Sequence, residues 1–432
     1  MMKAQNRNVV ELAAQLLESV VRPSPVVDVH THIRPAEPAA RYLGEIVFYH
    51  YILTELETAG VSRAKLENAK TAEEKMALFA SSQRLVSNTV TYWCLRQVLR
   101  TLDIEAEADL TLDALTDAAR RVQKTSSNGS WPRKVLAEQN NIQKTFLTLN
   151  ATEALPDFDA SLFAGTLRLD DLLTDVSSSA LDRLGAVSGA TIGSLDSFER
   201  AIGERLNAFA KSGGRALTAG MPTDEDFACS GKPVAEKLFA KVRRDEPLEL
   251  PERAALHSYT LHFCVGQARD LRLPVQLLLG VRRPLPGNAA VPVLRQDLAV
   301  RFASLFNNFP NVSFDLLLSS VVHSQELIAV AKNYPNVCLA GHWWYAFSPP
   351  YIRSMLTERL LALPVVKLHG FFSDAYNVEW SAGKLALLRR ELAWVLAELM
   401  VSGYLTESQA PEIARALLYE NPARFYSLAD KA

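Results

Sequence analysis

The chain has 432 residues, 48% of them hydrophobic, with 46 basic and 48 acidic side chains and a formal net charge of −2. That balance gives no electrostatic case for a nucleic acid or an anionic membrane as partner, and no apolar run approaches the roughly 18 residues that a membrane span needs. Length and hydrophobic content fit one large barrel with insertions, taken here as a single domain over residues 1–432.

In chain order, residues 1–21 carry Lys3, Arg7 and Glu11 between apolar Val9, Leu12, Ala13, Leu16, Leu17 and Val20. That periodicity predicts a helix with one apolar face rather than a signal peptide. Next comes Pro25-Val26-Val27-Asp28-Val29-His30-Thr31-His32-Ile33, in which Val26 to Val29 is β-branched apart from Asp28, bounded by prolines and too short for a helix, so it reads as a buried strand. Side chains at i and i+2 of a strand share a face, and His30 and His32 therefore aim both imidazoles at one point. Burying two imidazoles at a strand end is costly unless they have partners, and neutral imidazoles suit zinc, iron, nickel or manganese at about 2.0–2.2 Å. The pair is two thirds of a metal site.

Residues from about 36 to about 140 are helical in pattern, including 46–57, 73–85 and 90–102, and form a long insertion between two strands. Short apolar runs then recur among helices at 144–149, 163–169, 216–221, 274–279, 312–318, 337–340 and 365–368. With 26–33 they make eight, and eight strand–helix units predict a (β/α)8 TIM-like barrel whose chemistry lies at the C-terminal strand ends. Residues 125–132 and 283–292 read as breakers. Cys94, Cys229, Cys264 and Cys338 are far apart and form no C-x-x-C pair, which points to buried free thiols in a reducing compartment, the cytoplasm. His257 and His262 fall in a helix and pack there. His323 and His369 lie near strand ends without an assignable role.

The third ligand is sought beside the last strand, because a barrel closes next to its first strand. Asp374 stands just past that strand, where it could hold the metal and also carry a proton. An isolated Asp there would otherwise be a helix N-cap or a turn residue.

Taken together, Asp28-x-His30-Thr-His32, Tyr49-His50-Tyr51, Leu167-Arg168-Leu169-Asp170, Gly341-His342-Trp343-Trp344, Ser373-Asp374-Ala375 and Asn421-Pro-Ala-Arg-Phe-Tyr426 resemble the uronate isomerase (glucuronate isomerase) family of the amidohydrolase superfamily, in the same order over nearly the whole chain. The resemblance implies a metal-dependent aldose–ketose isomerase that interconverts glucuronate and fructuronate, or galacturonate and tagaturonate. It implies one divalent metal, commonly zinc, held by His30, His32 and Asp374. His50 and Tyr51 match a pair that reaches into the site, and Asp374 or Tyr51 carries the proton. Arg168 matches an arginine on the sugar acid, while Trp343 and Trp344 match a pair beside the substrate. Without the resemblance Tyr49 to Tyr51 would be core aromatics of an amphipathic helix, the tryptophans packing, and Arg168 a surface pair with Asp170 or Asp171. His342 precedes the tryptophans where the family has a small residue, and could be a further donor or ligand. The partner expected is a small sugar acid, and the assembly a homo-oligomer.

Four positions depart from the family pattern. Tyr376 stands where an arginine is common, a second arginine is replaced near Ser319-Ser320, Leu149-Asn150-Ala151 replaces a motif ending in Asp-Pro, and Leu278 replaces a strand histidine that some relatives carry. Neither tyrosine nor serine replaces the charge of a bidentate clamp. Either Arg282 or Arg283 takes over, or the substrate is not a uronate. The alternatives are an isomerase-like enzyme on another sugar acid, a metal-dependent hydrolase attacking an amide, ester or lactone, and a member that keeps the metal without turnover.

Overall fold

The computed structural model describes residues 2–105, 109–227, 230–285, 289–292 and 297–428. Eight strands form one sheet, β1 (Val26–Thr31), β2 (Ile142–Asn150), β3 (Phe163–Arg168), β4 (Ala216–Gly220), β5 (Val275–Leu279), β6 (Phe314–Leu318), β7 (Val337–Ala340) and β8 (Leu368–His369), and their order in the sheet is their order in the chain. From β3 onward every neighbouring pair is parallel, in registers such as Leu217 with Val275, Val275 with Phe314, Phe314 with Val337 and Leu339 with Leu368. Parallel neighbours in chain order with helices between them are (β/α)8 topology. The sequence explains it locally, since β5 and β6 are five-residue strands, apolar apart from Gln276 and Asp315 and buried along their whole length, as strands covered on both faces must be.

The chain folds as two compact units, one of Met1–Thr145 with Ser373–Glu407, the other of Phe146–Phe372 with Ser408–Ala432. The first holds most of the helical insertion. Its α1 (Met2–Leu16), α2 (His50–Thr58), α3 (Val90–Thr101) and the long α5 (Val378–Val401) include the elements around the candidate site, and α5 packs on α1 and α3. An α4 (Leu250–Leu271) belongs to the second unit. No described helix is long and apolar enough to cross a membrane.

Three expectations need correction. The predicted helix 46–57 is broken: Gly44–Val47 ends at Phe48, and α2 restarts after Tyr49, whose backbone is extended (φ −53°, ψ 142°). The break turns the Tyr49 ring into the core, stacked on Trp380 with centroids 4.1 Å apart. Residues 365–368 are mostly not strand; Val365–Lys367 is a 3-10 turn, and β8 starts at Leu368. Pro364 initiates that turn, Val366 is 46% exposed, and the Asn421 side chain donates to the Val365 and Leu368 carbonyls at 2.7 and 3.0 Å. In the stretch read as a breaker, residues 283–285 and 289–292 are instead strand, in the antiparallel pairing of Val281–Leu285 with Ala289–Pro292. A two-stranded ribbon tolerates proline because each strand is an edge.

Candidate metal centre

The buried strand β1 supplies His30, its alternation puts Asp28 and His30 on one face, and His32 follows directly after its last residue, Thr31. The segment carrying Asp374 is tied along that strand. Asp374 N–H donates to the His30 carbonyl at 3.0 Å and His32 N–H to the Ala375 carbonyl at 2.8 Å. The Asp28 carboxylate accepts from Ser373 N–H at 2.8 Å and from the Ser381 hydroxyl at 2.6 Å. Asp374 itself sits at φ +53°, a left-handed conformation that aspartate tolerates better than most residues. It is not a helix cap: Asn377 caps α5, accepting from Trp380 N–H at 3.1 Å, so the Asp374 carboxylate is available for the histidines.

Asp374 Oδ1 lies 3.2 Å from His32 Nε2 and 3.9 Å from His30 Nε2, and one ligand atom from each of the three residues falls within 4.8 Å of the others. Two imidazole nitrogens and a carboxylate oxygen that close together fit a single divalent ion, whose ligands each lie about 2 Å from the metal. Burial would raise the Asp374 carboxyl, but the hydrogen bond and charge of His32, with Lys384 and His30, hold it well below the usual carboxylate range. It is therefore in the ionised form a metal ligand needs.

Around the trio stands a shell of aromatic rings and one buried cation. The Tyr51 hydroxyl donates to Asp374 Oδ2 at 3.3 Å, and the Tyr49 hydroxyl to the Asp374 carbonyl at 3.1 Å. Lys384 donates to the Ser373 carbonyl at 2.7 Å and to Tyr49 Oη at 3.1 Å, with its ammonium 4.6 Å from the centroid of the Tyr51 ring. Burial pulls the Lys384 amine down to about 8, against the opposing pull of Asp374. His50 packs against Tyr51, Tyr49 and Tyr376 with centroids 4.2, 4.2 and 5.0 Å away; burial, helped by Lys384, lowers it to about 3 and keeps it neutral. Tyr376 stacks on His32 at 5.3 Å and is 49% exposed. Sequence reasoning missed Asp28, Tyr49 and Lys384. The available signals were an aspartate inside a β-branched run and a lone lysine in the apolar first half of α5, each a buried charge in need of partners.

Arg168, His342, Trp343 and Trp344 belong to the second unit. Arg168 Nε and Nη2 donate to Asp170 Oδ2 at 2.8 and 2.6 Å, the local pair its sequence neighbourhood suggests. His342 is buried with no hydrogen-bond partner for either ring nitrogen among the described residues; burial, and then the charge of Arg359, keep it neutral. Trp343 is buried, and Trp344, at φ +46°, stacks on Tyr345. Ser320 caps a 3-10 turn, accepting from Val322 N–H at 3.4 Å. Arg282 is exposed, and the Arg283 side chain and Cys229 lie outside the described residues.

The remaining histidines have structural partners. His257 faces Glu225 at 2.7 Å and His262 the Ser258 carbonyl at 2.8 Å; both lie on α4, as expected. His323 meets Glu326 at 3.1 Å and His369 meets Asp315 at 2.9 Å. Cys94, Cys264 and Cys338 are buried free thiols.

A parallel sheet in chain order, with H-x-H at the end of its first strand and a carboxylate carried onto that pair, defines a (β/α)8 protein with a candidate site for one divalent cation. Residues 2–289 match the glucuronate isomerase family, and the chain belongs to that family. A uronate isomerase from Bacillus licheniformis is 24% identical over 275 residues, 59% of this chain and 56% of that protein. The chain thus spans little more than half the length of the first curated relatives it matches. Two solved structures share the fold. A uronate isomerase from Thermotoga maritima superposes with a TM-score of 0.87 at 17% identity, over 96% of this chain and 97% of that one. A glucuronate isomerase from Caulobacter crescentus gives 0.86 at 20% identity, over 98% and 95%. The fold class is accordingly the expected TIM-like barrel.

Proposed function

We propose that the protein is a metal-dependent aldose–ketose isomerase acting on a uronate through a cis-enediol. The observation that carries this reading is the meeting of His30, His32 and Asp374 with the Tyr51 hydroxyl on the same carboxylate; family membership supports the substrate class. Isomerisation takes the proton from C2, returns a proton to C1 and moves the C2 hydroxyl proton to the C1 oxygen. A divalent cation, zinc in this reading, would supply Lewis acidity to the reacting carbonyl. The Tyr51 hydroxyl donates to Asp374, and in this reading Tyr51 or Asp374 carries the proton between C2 and C1. His50, neutral, is a donor or acceptor for a substrate hydroxyl, and Tyr376 stacks over His32 as a face for the sugar.

Arg168 is assigned to the substrate carboxylate, which would exchange with its present partner Asp170. His342, Trp343 and Trp344 are assigned to the substrate's side. In the same reading the enzyme is a cytoplasmic homo-oligomer, which light scattering and cell fractionation would check.

The test is to incubate the metal-loaded protein with glucuronate, galacturonate and a panel of aldonates and lactones in deuterated water, following C2 hydrogen exchange. Exchange with formation of the ketose and no hydrolysis is expected. Acid release from lactones or amides without exchange would replace the isomerase by a hydrolase.

A further inference from the structure

In the first unit, on the side of α5 that carries Ala382 and Ala386, lies a cavity of about 380 Å³. Its wall includes Arg22, Arg100, Arg389 and Arg390, with Trp93 beside them, and among the described residues no carboxylate lines it. None of its lining residues belongs to the cluster around Asp374. We propose that this cavity is a second binding site, for a small phosphate-bearing anion held by those four arginines.

Arg389 carries the argument. It is 5% exposed, and no described carboxylate pairs with it. Its Nη2 donates to the Asn140 and Ser24 carbonyls at 2.8 and 3.3 Å, which fixes the guanidinium in place, while Nε has no acceptor. A guanidinium does not deprotonate in a protein, and charged groups are seldom buried unless paired. Two neutral carbonyls leave its charge uncompensated. The other three arginines each stand beside an acid outside the lining, Glu18 at 3.1 Å from Arg22, Glu105 at 3.4 Å from Arg100 and Glu391 at 3.8 Å from Arg390, so among the described residues Arg389 is the guanidinium of this wall whose charge is uncompensated. The Arg390 guanidinium stands 5.7 Å from the centroid of the Trp93 ring, which leaves an apolar wall beside the charge.

Arg389 brings the uncompensated charge, and the other three guanidinium groups bring further donors on the same wall. A phosphate monoester brings nearly two negative charges and three acceptor oxygens, and planar guanidinium forks match it bidentately. The volume falls in the range of small-molecule sites, about 300–1,000 Å³, and leaves room for the organic part of an ester.

Isothermal titration of the metal-loaded full chain with inorganic phosphate and with glucose 6-phosphate, at ionic strength held constant with potassium chloride, tests the site. Saturable binding in the millimolar range or tighter is expected. Stronger binding of the ester would assign the whole cavity to a sugar phosphate, and equal binding would assign it to the ion itself. Arg389→Gln could fail to fold, because it bridges two segments, so the decisive variants are Arg100→Gln and Arg390→Gln, whose side chains are 44% and 59% exposed. Each should weaken binding about tenfold with melting temperature and metal content unchanged. Absence of saturable binding, or binding that both variants leave intact, would overturn the proposal.

Discussion

His32 and Asp374 approach within 3.2 Å although neither is the other's sequence neighbour, and substitutions would separate the two roles proposed for the aspartate. If Asp374 is a ligand, Asp374→Ala and His30→Ala should each lower metal content from about one ion per chain by tenfold or more, read by plasma mass spectrometry. Tyr51 meets the carboxylate through its hydroxyl. Tyr51→Phe should therefore keep its metal and lose about 10²–10⁴-fold in kcat, with KM little changed. Loss of metal from Tyr51→Phe would show that the phenol holds the site together instead of moving the proton. The H-x-H pair was legible from two-residue alternation alone. Lys384 was not, since nothing in its neighbours says that Tyr49 and the Ser373 carbonyl wait for its ammonium.

At the scale of elements, the approach of α5 to α3 depends on Gly383. A Cβ there would lie 2.5 Å from Val98 Cγ2 and 2.9 Å from the Cys94 carbonyl oxygen. The carbonyl is backbone within a helix and cannot step aside, so Gly383→Ala should destabilise the protein by about 1–3 kcal/mol, seen as a lower denaturation midpoint. An unchanged midpoint would mean that the two helices slide apart at no cost. Most strands were legible as short, mainly apolar runs recurring between helical stretches. The exceptions are informative. Around Val365 an apolar run forms a turn, because Pro364 starts it and Asn421, distant in sequence, completes its hydrogen bonds. The α2 helix breaks at Tyr49 because its ring stacks on Trp380, another long-range contact.

For the whole molecule, proton linkage gives a global readout of one buried group. Glu379 accepts from Trp131 Nε1 at 2.8 Å and from Ala40 N–H at 3.0 Å; burial raises its carboxyl above the ordinary glutamate value, and these hydrogen bonds only partly offset it. A raised value means the folded protein binds the proton more tightly than the unfolded chain. Its stabilising contribution is present below the ordinary value and is lost as pH rises through the raised one. From pH 4 to pH 7 the native protein should thus lose stability relative to Glu379→Gln; parallel denaturation profiles would contradict this.

Both compact units are discontinuous in sequence, since residues 373–407 return to the first and 408–432 to the second. Neither can complete itself from one contiguous stretch, and we propose that the chain unfolds as a single domain, in one calorimetric transition. Two resolved transitions would refute that.

By itself the sequence determined the strand that carries His30 and His32, their common face, and the alternation of strands with helices, because the periods of two and 3.6 residues are set by local backbone geometry. Only the tertiary structure decided that Asp374 lies against those histidines, that Asp28 and Lys384 brace it, and that Arg389 is buried without a carboxylate. Those facts depend on which distant surfaces pack together, and no local period encodes that.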